Sequence, residues 1–159
     1  AMARMTAAQF IADTFASYGV TNLFFVPVML SQTLAEIERR TSIQRIMTHG
    51  EKSAVYMADG YARASGRPGV CMSQCIGTAN LAAGLRDAHL SCTPMIAITG
   101  GAFSHTRDRH TYQQVEDVPL FKPVTKYSAM STISRACPMC CAKPSAPPLL
   151  ARRARPISK

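Results

Sequence analysis

Two hydrophobic patterns alternate along the first hundred residues of the chain. Short, continuous apolar runs are separated by longer segments in which apolar residues recur every three or four positions. Continuous runs of this length are typical of buried β-strands, and the longer period is typical of amphipathic helices. The strands predicted in this way are residues 22–26, 42–48, 70–74 and 94–99. The predicted helices are residues 6–18, 31–40, 51–66 and 77–90.

The alternation of helices and strands predicts an α/β fold, a parallel sheet with helices on both faces. Ligands of such sheets bind beyond the carboxyl ends of the strands, so the strand-to-helix turns are the candidate site. Beyond Gly101 the periodicity weakens. A polar loop and a short helix are predicted there, followed by a final edge strand in residues 122–128.

One acidic residue, Glu51, stands at the start of the third predicted helix, directly after a strand and a glycine. The apolar side of this helix is predicted to consist of Ala54, Met57, Ala58, Tyr61 and Ala62. The helix dipole stabilises a carboxylate in the first turn by roughly 0.3–1 kcal/mol. A helix-start acid and a cofactor-activating acid are therefore both compatible with the residues alone, and on that basis the helix-start explanation is favoured.

Composition divides the chain into two parts. The formal net charge is +9, of which residues 1–128 contribute +3 and residues 129–159, with six Lys/Arg and no acid, contribute +6. The second part also contains five prolines, which argue against a long helix or a central strand. We therefore predict one domain in residues 1–128 and an irregular basic tail, disordered or truncated, in residues 129–159. No nucleic-acid partner is expected, because neither stacking aromatics nor a recognised motif accompanies the basic residues.

The cellular compartment also follows from the sequence as a prediction. Neither a secretion signal nor an apolar run of membrane-spanning length occurs, which predicts a cytoplasmic protein without a membrane partner. Disulfides are not expected in that compartment. Cys71, Cys75 and Cys92 stand in apolar surroundings and are predicted to be buried free thiols.

Motifs for several common sites are absent from the sequence. Without GxGxxG or GxxxxGK[ST], a dinucleotide site or a nucleoside triphosphate loop is unsupported, and GxSxG is absent too. His105, Asp108 and His110 have a spacing compatible with partial metal ligation, but a solvated loop is favoured because further ligands are missing. The stretch CPMCC, residues 137–141, likewise lacks a second ligand pair for zinc. No metal site is predicted within the chain.

The helix that begins at Glu51 carries the most specific motif. Residues 51–66, EKSAVYMADGYARASG, match the pattern E-x-x-A-x-x-M-A-D-G-Y-A-R-x-[ST]-G of thiamine diphosphate enzymes. The turn CIGTANL resembles the family's G-P-G-x-x-N-L through Gly77 and Asn80, and PMIAITG resembles the strand that follows. Over residues 6–126 the chain resembles the N-terminal, pyrimidine-binding domain of enzymes of the acetolactate synthase, pyruvate oxidase and benzoylformate decarboxylase type.

The resemblance implies a catalytic role for Glu51, which in the family hydrogen-bonds ring nitrogen N1′ of the aminopyrimidine of thiamine diphosphate. This contact activates the cofactor toward a 2-keto acid. The resemblance further implies cofactor-binding roles for residues of the turns and for the glutamine of YQQ: Pro27, Ser73, Ile76, Gly77, Asn80 and Gln113. It also implies that Mg²⁺ and the diphosphate are held by a second domain, absent from this sequence, in a homodimer or on a partner subunit.

Two interpretations of the function follow. In the first, the chain is the thiamine pyrophosphate-binding domain of an acetolactate synthase-like enzyme that decarboxylates 2-keto acids and needs a separate diphosphate- and Mg²⁺-binding domain. In the alternative, it is a non-catalytic, truncated remnant of such an enzyme that folds and self-associates. The compositional change after residue 128 motivates the alternative.

Overall fold

The computed structural model of the protein describes residues 5–27, 30–101, 109, 112–114 and 116–130. Helices and strands alternate within these residues. The helices are α1 (Ala7–Ser17), α2 (Ser31–Arg40), α3 (Glu51–Ser65), α4 (Thr78–Leu90) and α5 (Asp117–Phe121). The strands are β1 (Asn22–Phe25), β2 (Gln44–Met47), β3 (Gly69–Ser73) and β4 (Met95–Thr99). Two 3-10 turns, Cys75–Gly77 and Lys122–Val124, precede α4 and follow α5.

The described strands form one parallel sheet in the order β2-β1-β3-β4. Phe25, the last residue of β1, stands between Met47 of β2 and Met72 of β3, and Ser73 pairs with Thr99 of β4. The carboxyl ends of all four strands therefore meet at one edge. Because β2 and β3 lie on opposite sides of β1, the chain changes direction between β1 and β3, which is where such sheets bind ligands.

Helices cover both faces of this sheet, as predicted. Along β1 and β3, alternate side chains point to opposite faces, so each face has its own core. The core under α1 and α2 contains Ala12, Phe15, Leu23, Phe25, Leu34, Ile37, Val70 and Met72. The core under α3, α4 and α5 contains Phe24, Ala54, Val55, Ala58, Cys71, Leu81, Leu85 and Phe121. Burial on both faces explains why β1 and β3 are continuous apolar runs.

The predicted edge strand in residues 122–128 is wrong. Lys122–Val124 forms a 3-10 turn instead, and the residues after it up to 130 have no strand structure. Pro123 has no N–H group with which to join a sheet. The Thr125 hydroxyl donates to the Phe121 carbonyl at 2.8 Å, which ties this segment to the end of α5.

Two predictions of burial are also wrong. Met57 is 45% exposed, and Val55 is buried in its place, because α3 packs against α4 as well as against the sheet. Cys92 is exposed in the turn after α4, with a φ of 55°, whereas Cys71 and Cys75 are buried as expected. Cys92 lies in the turn between α4 and β4 and belongs to neither core.

Some predictions fall on other parts of the chain. His105, Asp108 and His110, as well as residues 131–159 with the CPMCC stretch, lie outside the described residues. The division of the chain at residue 128 stays a prediction. Within the described residues, none of the helices is long and apolar enough to cross a membrane.

Candidate functional site

Glu51 begins α3 at the carboxyl edge of the sheet. β2 ends at Met47, and the Thr48 N–H then donates to the Phe25 carbonyl of β1 at 2.8 Å, which keeps the chain beside the sheet for one more residue. The Thr48 hydroxyl donates to the Gly50 carbonyl at 3.0 Å and closes the turn. Gly50 is the N-cap of α3 and has no side chain to cap it. The half-buried Glu51 is thus placed where ligands of parallel sheets bind.

The carboxylate of Glu51 lies against the start of α4. Asn80 Nδ2 donates a hydrogen bond to Glu51 Oε2 at 3.1 Å. A Cβ built on Gly77 would stand 2.5 Å from Glu51 Cγ and 2.7 Å from Oε1, so the carboxylate occupies space that any other residue at position 77 would fill. Gly77 and Asn80 together form the Glu51 seat. None of the described residues donates a hydrogen bond to Oε1.

Packing between α3 and α4 fixes the distance across the Glu51 seat. The Tyr56 hydroxyl of α3 donates to Asp87 Oδ2 of α4 at 2.9 Å, and this hydrogen bond raises the pKa of Tyr56. The two helices approach closely because Gly84 of α4 has no side chain: a Cβ there would stand 2.9 Å from Val55 Cγ1. The Glu51 carboxylate is therefore positioned by two helices that are packed together, and not by a loop.

Charged groups do not neutralise Glu51 within the described part of the chain. The ion pairs found there are Arg39–Glu36, Arg40–Asp13, Arg45–Glu38 and Arg63–Asp59. The hydrogen-bond donor that Glu51 meets is the neutral amide of Asn80. A carboxylate in this setting keeps its capacity to accept further hydrogen bonds.

The donors and acceptors at this edge fit the aminopyrimidine of thiamine diphosphate. A carboxylate oxygen can share a proton with a weakly basic ring nitrogen. Glu51 offers such an oxygen, because Asn80 engages Oε2 and leaves Oε1 over Gly77. The missing side chain at position 77 leaves room for the carboxylate itself, which packs against Gly77. Among the described residues, no group of three or more His, Cys, Asp or Glu side chains could hold a metal ion.

The turn between β3 and α4 contains two further residues predicted for the site. Ile76 is 42% exposed in the 3-10 turn, directly before Gly77, so its apolar side chain is available next to the seat. Ser73 is only 2% exposed, and its hydroxyl donates to the Gln74 carbonyl at 3.1 Å. The hydroxyl of Ser73 is thus hydrogen-bonded to the adjacent backbone, whereas Ile76 is exposed beside the Glu51 seat.

Among the described residues, no hydrogen bond joins the remaining predicted residues, Pro27 and Gln113, to the Glu51 seat. Pro27 is exposed and follows β1 at the carboxyl edge, next to Val26, whose N–H donates to the Met72 carbonyl at 3.2 Å. Gln113 is half-buried and has a φ of 62°, a backbone conformation that residues other than glycine rarely adopt. Their roles in cofactor binding stay predictions.

Two threonines at this edge were not predicted as site residues. The Thr48 hydroxyl closes the turn before Glu51. Thr78, the first residue of α4, is fully buried, and its hydroxyl has no hydrogen-bond partner among the described residues. The sequence could have indicated Thr48 by its position directly after a strand, because threonine hydroxyls commonly bond nearby backbone groups in such turns.

Comparison with known proteins decides the family of this chain. Residues 5–120 match the family profile described as "Thiamine pyrophosphate enzyme, N-terminal TPP binding domain". The chain belongs to this family. The sequence-based resemblance to the pyrimidine-binding domain is therefore confirmed, together with the α/β fold that it implied.

Several acetolactate synthases are similar to this domain. The Bacillus subtilis (strain 168) acetolactate synthase is 30% identical over 122 residues, which cover 76% of this chain and 21% of the relative. Acetolactate synthase 2, chloroplastic, from Nicotiana tabacum is 36% identical over 112 residues, 69% of this chain and 17% of the relative. The probable acetolactate synthase large subunit of Methanocaldococcus jannaschii is 31% identical over 125 residues, 78% of this chain and 21% of the relative.

The matched segment thus spans about a fifth of the length of these relatives. The similarity supports a thiamine pyrophosphate-binding domain with acetolactate synthase homology. The alternative of a non-catalytic remnant is not favoured by these matches.

Proposed function

We propose that this chain binds the aminopyrimidine end of thiamine diphosphate in an acetolactate synthase-like enzyme that decarboxylates 2-keto acids. The observation that supports the proposal is the state of the two Glu51 oxygens. Oε2 accepts a hydrogen bond from Asn80, whereas Oε1 packs over Gly77 and receives no hydrogen bond from any described residue. One oxygen is thereby held, and the other is available to a ligand at the carboxyl edge of the sheet.

Each residue of the site has a separate task in this proposal. Glu51 Oε1 holds a proton shared with ring nitrogen N1′ of the aminopyrimidine, and the Asn80 amide keeps the carboxylate oriented. The exposed side chain of Ile76 supplies an apolar surface beside the ring that excludes water from this contact. When bound, the cofactor supplies the nucleophilic carbon and the electron sink that decarboxylation requires.

The diphosphate and Mg²⁺ belong to a different part of the proposed assembly. We propose that they are held by a diphosphate-binding domain, either in a homodimer or on a partner subunit, and that the chain is not active without it. The resemblance to the family supports this proposal, as does the aligned share of about a fifth of the relatives' length. The cytoplasmic location stays a prediction.

A binding experiment with the full chain tests the role of Glu51. The probes are thiamine diphosphate and the isolated aminopyrimidine 4-amino-5-hydroxymethyl-2-methylpyrimidine, both followed by ligand-observed NMR titration. Glu51→Gln keeps the size of the side chain and removes its charge. A hydrogen bond to a charged acceptor contributes about 1.5–3 kcal/mol. We therefore expect Glu51→Gln to weaken binding of the aminopyrimidine roughly tenfold or more.

A matched substitution at a second carboxylate provides the control. Glu38 pairs with Arg45 at 2.6 Å, near the amino end of β2, so Glu38→Gln makes the same chemical change away from the seat. It should leave binding unchanged. Equal affinity of the wild type and Glu51→Gln for the aminopyrimidine would contradict the proposal, and so would equal losses in both variants.

A further inference from the structure

We propose that Asn80 is a positioning residue for Glu51 and not a contact of the cofactor. Its amide holds Oε2, and Oε1 is thereby directed toward the ligand. What the carboxylate then does rests on the proposed function, whereas the positioning is a property of the folded chain alone. Three observations lead to this inference.

The first observation is the hydrogen bond itself. Asn80 is the third residue of α4, and its Nδ2 donates to Glu51 Oε2 at 3.1 Å across 29 residues of sequence. An amide nitrogen is a donor without a charge, so it orients the carboxylate and leaves its negative charge in place. A lysine or arginine at position 80 would instead form an ion pair and compete with the ligand for the carboxylate.

The second observation is that Gly77 and Asn80 hold the carboxylate on the same side of α4. Residues three apart at a helix start lie on one face. The Glu51 side chain packs so closely over Gly77 that a Cβ there would stand 2.8 Å from Cδ. The close contact with Gly77 and the hydrogen bond from Asn80 both favour this placement of the Glu51 side chain. The Glu51 seat therefore distinguishes the two oxygens: Oε2 accepts from Asn80, and Oε1 is left without a protein donor among the described residues.

The third observation is the set of charges around the seat. The titratable side chains nearest to Glu51 in its own segment are His49 and Lys52, both exposed, and Cys75 is buried in the turn before α4. Within the described residues, none of them forms an ion pair with Glu51, and Asn80 is the donor that meets it. The amide of Asn80 is therefore the group whose loss should change the orientation of the carboxylate.

The effect of Asn80→Asp on unfolding differs according to whether Asn80 positions Glu51 or only stabilises α4. The substitution keeps the size of the side chain, removes the donor and adds a negative charge. If Asn80 served only the helix, an acid in the first turn would be neutral or stabilising. If Asn80 orients Glu51, two carboxylates face each other, and the unfolding equilibrium constant should rise about two- to fivefold. The measurement is urea denaturation of the full chain at low salt.

The double variant Glu51→Gln/Asn80→Asp exchanges donor and acceptor and should restore the hydrogen bond. We expect its unfolding constant to return to within about twofold of the wild-type value, a clear departure from additivity. Additive effects of the two substitutions would overturn the inference. Asn22→Asp is the control: its Nδ2 donates to Gln44 Oε1 at 3.3 Å at the opposite edge of the sheet. Its effect should be the same with Glu or Gln at position 51.

Binding of the aminopyrimidine probe gives a second readout. Asn80→Ala should weaken binding about two- to tenfold, because the freed Glu51 side chain must be ordered on binding. In the Glu51→Ala background, Asn80→Ala should cause no further loss, whereas a direct contact between Asn80 and the ligand would. If the wild type does not bind the probe at all, the proposed function fails, while non-additive unfolding still establishes the positioning role.

Discussion

The close contact between Gly77 and Glu51 makes Gly77→Ala a sensitive probe of the site. Gly77 has φ −68° and ψ −10°, a conformation that alanine adopts without strain. The new methyl group would stand 2.5 Å from Glu51 Cγ, although ordinary contacts begin near 3.4 Å. The atoms that it meets belong to a flexible side chain. Glu51 must therefore move by about 1 Å while the backbone stays in place.

The expected magnitudes follow from this geometry. A shift of this size lengthens the 3.1 Å hydrogen bond from Asn80 beyond bonding distance. Because this hydrogen bond is exposed to solvent, losing it costs about 0.5–1.5 kcal/mol although its acceptor is charged. Replacing glycine by alanine where the backbone permits it gains about 0.4–1 kcal/mol through the unfolded state. The two effects nearly cancel, so the free energy of unfolding should change by less than about 1 kcal/mol. Binding of the aminopyrimidine should still fall about tenfold, because the displaced Glu51 no longer presents Oε1.

The assay combines urea denaturation with ligand-observed NMR titration of the aminopyrimidine. Gly60→Ala is the matched control, because Gly60 lies in α3 with nothing within 4 Å of its Cβ position. It should leave binding unchanged. In the Glu51→Ala background, Gly77→Ala has nothing to displace and should only stabilise the fold. Wild-type affinity in Gly77→Ala, or an equal loss in Gly60→Ala, would refute the reasoning.

Two further predictions concern the fold around the site. Burial raises the pKa of the Cys71 thiol to about 12 from 9.0. The contribution of this thiol to stability is therefore present below pH 9 and is lost as the pH rises toward 12. Iodoacetamide at pH 8 should label the exposed Cys92 and spare Cys71, and equal labelling rates of the two thiols in the native protein would contradict this. Leu81 is fully buried between α4 and the sheet, so Leu81→Ala should lower the free energy of unfolding by about 2–5 kcal/mol in urea denaturation, and a loss below about 1 kcal/mol would show that the site is not packed as described.

The sheet and its helices were predictable because periodicity and burial agree. β1 and β3 are covered on both faces, and continuous apolar runs are the expected consequence. Which side of α3 faces the core was not predictable to the same degree. A period of 3.6 fits a stripe through either Val55 or Met57, and contact with Gly84 of α4 selects Val55. The edge strand predicted in residues 122–128 is not formed, because Pro123 has no N–H group to donate to a sheet and Lys122–Val124 is a 3-10 turn.

Glu51 was predictable from its motif, but its environment was not. The sequence places an acid at a helix start, and the family pattern assigns it a role. The hydrogen bond from Asn80 and the close contact with Gly77 depend on how α3 packs on α4, which no local pattern encodes. Ser73 illustrates the opposite outcome, because its hydroxyl is engaged by the Gln74 carbonyl although its position pointed to the ligand.

The central claim is that the Glu51 carboxylate contacts ring nitrogen N1′ of the cofactor. The most direct measurement is ¹⁵N NMR of the aminopyrimidine probe labelled at N1′, bound to the full chain. The account predicts that N1′ shifts upfield on binding to the wild type, as a ring nitrogen does when it gains a proton, and that the shift is lost with Glu51→Gln. An N1′ signal that is the same when bound to the wild type and to Glu51→Gln would contradict it.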